Sequence, residues 1–150
     1  MSKLRSRLRK LLLQLPAYTL SIVCLATICY LTLDPKPLPD NDLGLIPGLD
    51  KIVHAIMFFG LALCITTDNA RRHLISHPDC HTLAIPGRLT AAIIAAIAGG
   101  AIELLQQQMD LGRSADIIDL LADSTGAVIA YFSSPAIIRY LLSPKSTPTH

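Results

Sequence analysis

Charged and amide side chains occur inside stretches of this sequence that are otherwise apolar. Glu103 and Gln106 lie near the end of one stretch, and Asp119 and Asp123 lie in the next one. A charged group at bilayer depth costs at least about 2.5 kcal/mol on insertion scales, so these acids need a partner, water or a function. Carboxylates can transfer protons, ligate a metal ion or pair with cations. The sequence therefore directs the search for function to these acids.

The composition indicates a membrane protein. Of the 150 residues, 51% are hydrophobic and 16% are charged, there is no Trp, and the mean hydropathy is +0.48. An ordinary soluble domain of this size is less apolar. The basic residues follow the expected membrane orientation and form no patch interleaved with aromatic residues, so we expect no binding to nucleic acid.

Four apolar runs predict an all-α, polytopic bundle of about four transmembrane helices with a basic interfacial helix at the N-terminus. Runs of about 16 to 21 residues reach about 24 to 31 Å, close to the thickness of the hydrocarbon core. The predicted spans are 17–33, 50–67, 89–109 and 115–134. They lie in one domain, 17–142, preceded by a basic amphipathic segment, 1–16, and followed by a flexible tail, 143–150.

The N-terminal segment combines basic residues with leucines at helical spacing. Its basic residues are Lys3, Arg5, Arg7, Arg9 and Lys10. The apolar run that follows is too long for a signal peptide, and no small-x-small cleavage site precedes Asp34. We therefore expect a retained anchor, preceded by a helix that lies on an anionic cytoplasmic leaflet and bends at Pro16.

The basic residues also predict the topology. With the N-terminus inside, ten of the 13 Lys and Arg residues face the cytoplasm, and only Lys36, Lys51 and Arg113 lie outside. Short cytoplasmic loops carry an excess of such residues. We expect a multi-pass protein of the bacterial inner (plasma) membrane with both termini in the cytoplasm, an extended outer loop at 34–49 and a polar middle loop at 68–87.

This topology puts the polar intramembrane residues of three predicted helices toward the outer side. We call them the polar cluster: Asp50, Lys51, His54, Glu103, Gln106, Arg113, Asp116, Asp119 and Asp123. Glu103 shares a helical face with Gly99 and two alanines, and Asp119 and Asp123 share a face with small residues. Small residues let helices approach closely in lipid. We therefore expect Glu103 to face the last span near Asp119 or Arg113.

At these residues the chain resembles the VanZ-like family of small bacterial membrane proteins. The matching motifs are Asp50-Lys51-x-x-His54 with Phe58, then Glu103-Leu104-Leu105-Gln106, then Gly112-Arg113, and then Asp119-Leu120-Leu121-Ala122-Asp123-x-x-Gly126-Ala127. The family takes its name from a protein linked to teicoplanin resistance, so the resemblance implies a role in the cell envelope. Many members carry Asn where this chain has Asp123, so this cluster has an additional potential charge.

Several functions are compatible with the polar cluster. It could bind or modify a lipid-linked, anionic envelope component, with Lys51 and Arg113 contacting a phosphate or carboxylate and His54 and Glu103 transferring protons. It could instead be a structural network in which these cations neutralise the buried acids. A proton or ion pathway is a third possibility. In a fourth, the chain is an accessory subunit or a homo-oligomer whose polar face is satisfied by a membrane partner.

The sequence gives no cofactor signal. It has no phosphate-binding Gly-rich loop, no His-Glu-x-x-His motif, and no Ser or Cys beside a plausible base in the cluster. A divalent ion could bridge His54 and the acids, but Lys51 and Arg113 argue against it, so we predict no metal. The histidine-rich stretch between His73 and His81 is predicted to be a solvated loop.

Overall fold

A computed structural model describes residues 2–33, 48–77, 83–109 and 117–143. The regular elements in these ranges are five α-helices: α1 Ser2–Gln14, α2 Thr19–Leu33, α3 Leu49–Ser76, α4 Arg88–Gln108 and α5 Ile117–Leu142. The all-α prediction is confirmed. The predicted tail, 143–150, lies outside the described residues except for Ser143.

Three helices, α3, α4 and α5, are long and apolar enough to cross a membrane. The 15-residue helix α2 meets this criterion only together with α1, from which it is bent by 86°. The described ranges therefore contain three candidate spans, or four if the bent pair forms one. Because α1 lies nearly perpendicular to α2, its basic and leucine-rich surface can follow a membrane surface, as the amphipathic pattern predicts.

Two helices extend beyond their predicted spans. Residues 68–76, assigned to a loop by their polarity, continue α3, where Asp68 and Arg71 pair with each other and bond to Ser21 and Leu15. Helix α5 continues through Pro135 to Leu142. A proline inside a helix frees the carbonyl four residues earlier. That carbonyl, on Tyr131, accepts a hydrogen bond of 3.4 Å from Arg88.

The end of the bundle at the α1–α2 bend is closed by polar contacts. Asp68 accepts hydrogen bonds from the backbone nitrogen (3.0 Å) and hydroxyl (2.7 Å) of Ser21 and pairs with Arg71. Arg71 also donates to the carbonyl of Leu15 at 2.7 Å. Arg9 donates to the carbonyl of Leu142 at 2.8 Å, so α1 lies at the same end of the bundle as the end of α5.

Helix α3 lies at the centre and contacts α2, α4 and α5. Its closest approach is to α5, where Gly126 packs against the backbone of Ala55 and Phe59. Phe58 is fully buried, whereas Ile97 and Phe132 are exposed on the outer surface of the bundle, as lipid-facing residues are. Small residues at the helix contact allow this packing in a lipid environment, where apolar burial between helices gives little driving force.

We expect Gly126→Ala to destabilise the bundle. An added Cβ would overlap the carbonyl oxygen of Ala55 and lie 2.9 Å from the nitrogen of Phe59, so the two helices must move apart. Overpacking of this kind costs about 1 to 3 kcal/mol. Unfolding of the purified protein in detergent measures the loss. Gly60→Ala is the control, because its Cβ would meet only the thiol of Cys24 at 4.0 Å; equal stability of the two variants would contradict the packing described.

Candidate functional site

The polar residues meet at the end of the bundle opposite the α1–α2 bend. His54 lies in the second turn of α3, Glu103 lies near the end of α4, and Asp119 and Asp123 lie in the first two turns of α5. The start of α4 lies beside Asn69 of α3 and Tyr131 of α5, and Gly99 lies beside Asp123, so α4 runs antiparallel to both helices and its last turns lie beside their first turns. Three helices thus contribute to one cluster, as the sequence predicts.

His54 and Asp123 form a hydrogen bond in the buried part of the cluster. Nδ1 of His54 lies 3.0 Å from Oδ1 of Asp123, and the exposed fractions of the two residues are 7% and 1%. A neutral histidine has one N–H donor and one acceptor nitrogen. When Nδ1 donates to the carboxylate, Nε2 is the acceptor, so Asp123 orients His54 and makes Nε2 a base.

Glu103 and Asp119 lie beside this histidine. One nitrogen of His54 and one carboxylate oxygen from each acid are all within 4.8 Å of one another. Glu103 is buried on α4 and has an exposed fraction of 6%. The expectation that Glu103 faces the last span near Asp119 is confirmed.

Lys51 joins the partly buried Asp119 to the rim of the bundle. Its ammonium nitrogen lies 2.7 Å from Oδ1 of Asp119 and 2.9 Å from Oδ2 of Asp50. The side chain of Asp50 is 60% exposed, whereas that of Asp119 is 17% exposed. The ammonium group therefore lies between water and the cluster, where an incoming anion would meet it before reaching His54.

The remaining predicted site residues are placed differently. Nε2 of Gln106 donates to the carbonyl of Thr32 at 2.9 Å, so this contact joins α4 to the end of α2. Arg113 and Asp116 lie outside the described residues.

The profile of the VanZ/LLP1 family matches residues 4–139. The chain belongs to this family. The match includes the whole of α3 and α4 and most of α5, which carry the cluster. No curated protein and no solved structure matches the chain significantly.

In this VanZ/LLP1 chain, Gly99 provides space for a side chain of the neighbouring helix, which its sequence context does not reveal. A Cβ at Gly99 would lie 2.6 Å from Oδ2 of Asp123, so the glycine leaves room for the carboxylate. Oδ2 is buried and accepts no hydrogen bond from the described part of the chain. A small residue on a helix face predicts close packing, but it does not say which side chain of the neighbouring helix fills the space.

The histidine-rich stretch is partly helical and lies at the other end of the bundle. His73 belongs to α3, and its ring stacks on that of His77 with centroids 4.5 Å apart. Together with Arg72 and Gly87 they line a surface cavity of about 280 Å³. The other residues of the stretch, 78–81, lie outside the described residues.

The arrangement of the cluster suits proton transfer or the binding of a charged group. A histidine oriented by a buried carboxylate can act as a general base, and a second buried acid beside it can exchange protons with the same ligand. The side chains come from three helices, so their positions depend on the packing of the whole bundle. A change in that packing would therefore alter the site as well as the stability.

A double-mutant cycle tests whether His54 and Asp123 act as a pair. We expect each single change to Ala to destabilise the protein, because the other polar group stays buried without its partner. The double variant should lose less than the sum, with a coupling of about 0.5 to 3 kcal/mol. Unfolding in detergent gives the three free energies.

The control cycle pairs His54→Ala with Asp68→Ala at the other end of the bundle. Asp68 is equally buried but bonds to Ser21 and Arg71, so the two changes should add. Full additivity in the His54 and Asp123 cycle would contradict a direct interaction.

Proposed function

We propose that this VanZ/LLP1 protein acts in the bacterial cell envelope and binds the anionic headgroup of a lipid-linked envelope component at the polar end of its bundle. The observation that carries the proposal is the order of the polar groups from the surface of the bundle inward. Lys51 is partly exposed at the rim, and the pair of His54 and Asp123 is buried below it. A cation at the entrance can pair with a phosphate-bearing headgroup, and the base behind it can accept a proton from the ligand.

The same proposal includes the orientation in the membrane. The N-terminal basic segment and the end of α5 lie at one end of the bundle, and the cluster lies at the other. The excess of Lys and Arg favours the cytoplasm for the first end. The cluster then opens toward the outer leaflet of the inner membrane, where lipid-linked envelope components are exposed to the periplasm or the cell exterior.

Lys51 would bind the headgroup by exchanging one of its carboxylate partners for a phosphate or carboxylate oxygen of the ligand. Asp50 is the partner to be displaced, because its side chain is largely exposed and returns to water at little cost. In the sequence Arg113 belongs to the segment that joins α4 to α5 and is the second candidate cation. If the component is chemically modified, His54 and Glu103 are the groups that move the proton.

A structural or accessory role is the second candidate. Its support is that Lys51 already has two carboxylate partners and that His54 already has one. In that case the network only stabilises the bundle, or its polar end is covered by another membrane subunit or a second copy of this chain.

Cysteine labelling tests the orientation. The substitutions are made one at a time in a protein that carries Cys80→Ser. Asp40→Cys should react with an impermeant maleimide in intact cells, and His77→Cys should react only after the membrane is opened. The reason is the unequal distribution of basic residues. Labelling at position 77 from outside would exclude both the orientation and an outward-facing cluster.

Binding of a polyprenyl phosphate tests the ligand. We expect the wild-type protein in phosphatidylcholine nanodiscs to bind it in preference to the neutral polyprenol. Lys51→Gln should weaken binding by about 10- to 100-fold, the value of one hydrogen bond to a charged group. Native mass spectrometry or a fluorescent analogue measures the affinity, and Arg72→Gln, at the other end of the bundle, should bind like the wild type.

The structural alternative gives the opposite result in the same proteins. Lys51→Gln would lower the thermal stability, and a second change, Asp119→Asn, would restore part of it because the two residues form one network. Equal binding of the phosphate and the neutral lipid, together with that rescue, would overturn the proposed binding function.

A further inference from the structure

Three carboxylates lie close together at the polar end of the bundle. Glu103, Asp119 and Asp123 meet at the end of the bundle, and Lys51 is the one Lys or Arg of the polar cluster that the structure describes there. An anionic headgroup would approach this excess of negative charge. A cation bound by these acids would offset part of the negative charge and, together with Lys51, attract the headgroup.

The positions of three side chains suit a metal ion. A ring nitrogen of His54 and one carboxylate oxygen from each of Glu103 and Asp119 lie within 4.8 Å of one another. Ligands bound to one ion at about 2.1 Å lie about 3 to 4 Å apart, so a small contraction brings the three atoms to bonding distance. The three residues come from three different helices, which hold the ligands around a common centre.

The pair of His54 and Asp123 gives independent support. Metal-binding histidines commonly donate their second ring N–H to a carboxylate, which fixes the tautomer and the ring orientation. Here Nδ1 of His54 lies 3.0 Å from Asp123, which has an exposed fraction of 1%. Nε2 is then the nitrogen left to bind an ion. Oδ2 of this buried carboxylate accepts no hydrogen bond from the described part of the chain, so the negative charge behind the histidine is poorly compensated.

We propose that His54, Glu103 and Asp119 bind one divalent cation, which holds the anionic headgroup together with Lys51. The second part rests on the proposed function, whereas the first does not. One imidazole and two carboxylates suit Mn²⁺ or Zn²⁺, and three protein ligands leave open positions for a phosphate oxygen or water. Asp119 has two oxygens, so it can keep its ion pair with Lys51 through one and ligate through the other. The proposal departs from the sequence-based expectation that no metal binds.

Binding of Mn²⁺ to the full-length protein tests the first part. After treatment with EDTA, the wild type in neutral detergent should bind one Mn²⁺ per chain, measured by the loss of the free-ion signal in electron paramagnetic resonance. Spin-echo modulation should show the nitrogen of one imidazole. A wild-type protein without saturable binding, or with bound Mn²⁺ but no imidazole coupling, would overturn the proposal without any variant.

Variants assign the ligands. His54→Gln should remove the imidazole coupling, and Glu103→Gln should weaken binding at least about tenfold because a ligand is lost. Asp123→Asn, which alters only the orienting partner, should weaken it by about 10- to 100-fold. His73→Gln is the matched control, because that histidine lies at the other end of the bundle. Circular dichroism and thermal unfolding of each variant separate loss of the ion from loss of the fold.

Polyprenyl phosphate binding with and without Mn²⁺ separates the two proposals. Binding that requires Mn²⁺ supports both. Binding of the phosphate lipid that is unchanged after EDTA overturns the role of the cation and leaves the proposed function standing. Binding of Mn²⁺ with an imidazole signal, but no preference for the phosphate lipid, supports the metal site and overturns the proposed function.

Discussion

The close approach of α3 and α5 is the contact on which the cluster depends. Gly126 has no side chain, so the backbone of α5 reaches the carbonyl of Ala55, the residue that follows His54 on α3. Asp123 precedes Gly126 by one turn of α5 and therefore lies beside His54. A larger residue at position 126 would separate the helices and leave a buried carboxylate without its partner, which is costly in an apolar environment. The small residue and the charged pair are thus parts of one arrangement.

The two ends of the bundle bury acids in different ways. At the α1–α2 bend, Oδ1 of Asp68 pairs with Arg71 and Oδ2 accepts two hydrogen bonds from Ser21. This carboxylate is fully satisfied and joins the bend to α3. At the other end, Oδ1 of Asp123 is hydrogen-bonded to His54, whereas Oδ2 has no such bond from the described residues and lies where a Cβ at position 99 would overlap it. The first arrangement is that of a structural ion pair, whereas in the second one carboxylate oxygen is buried without a hydrogen bond from the described residues.

Membership in the VanZ/LLP1 family identifies the type of protein and does not assign its chemistry. The chemistry has to be inferred from the side chains that the three helices bring together. Lys51 illustrates why this inference needs the structure. In the sequence it is an isolated cation near a predicted membrane boundary, whereas in the fold it joins the exposed Asp50 to the partly buried Asp119.

The sequence by itself determined the helical membrane class and the faces that carry the acids. Hydropathy is a local property, and the four-residue spacing of Glu103 from Gly99 is read directly from the chain. It did not determine the end of α3, because polar residues such as Asp68 and Arg71 become buried only when Ser21 and Leu15 satisfy them. Nor did it determine that Asp123 pairs with His54 while Asp119 pairs with Lys51. Each residue turns a helix by about 100°, so the partner of each charge depends on the rotation and register of α5 against α3, which only tertiary packing decides.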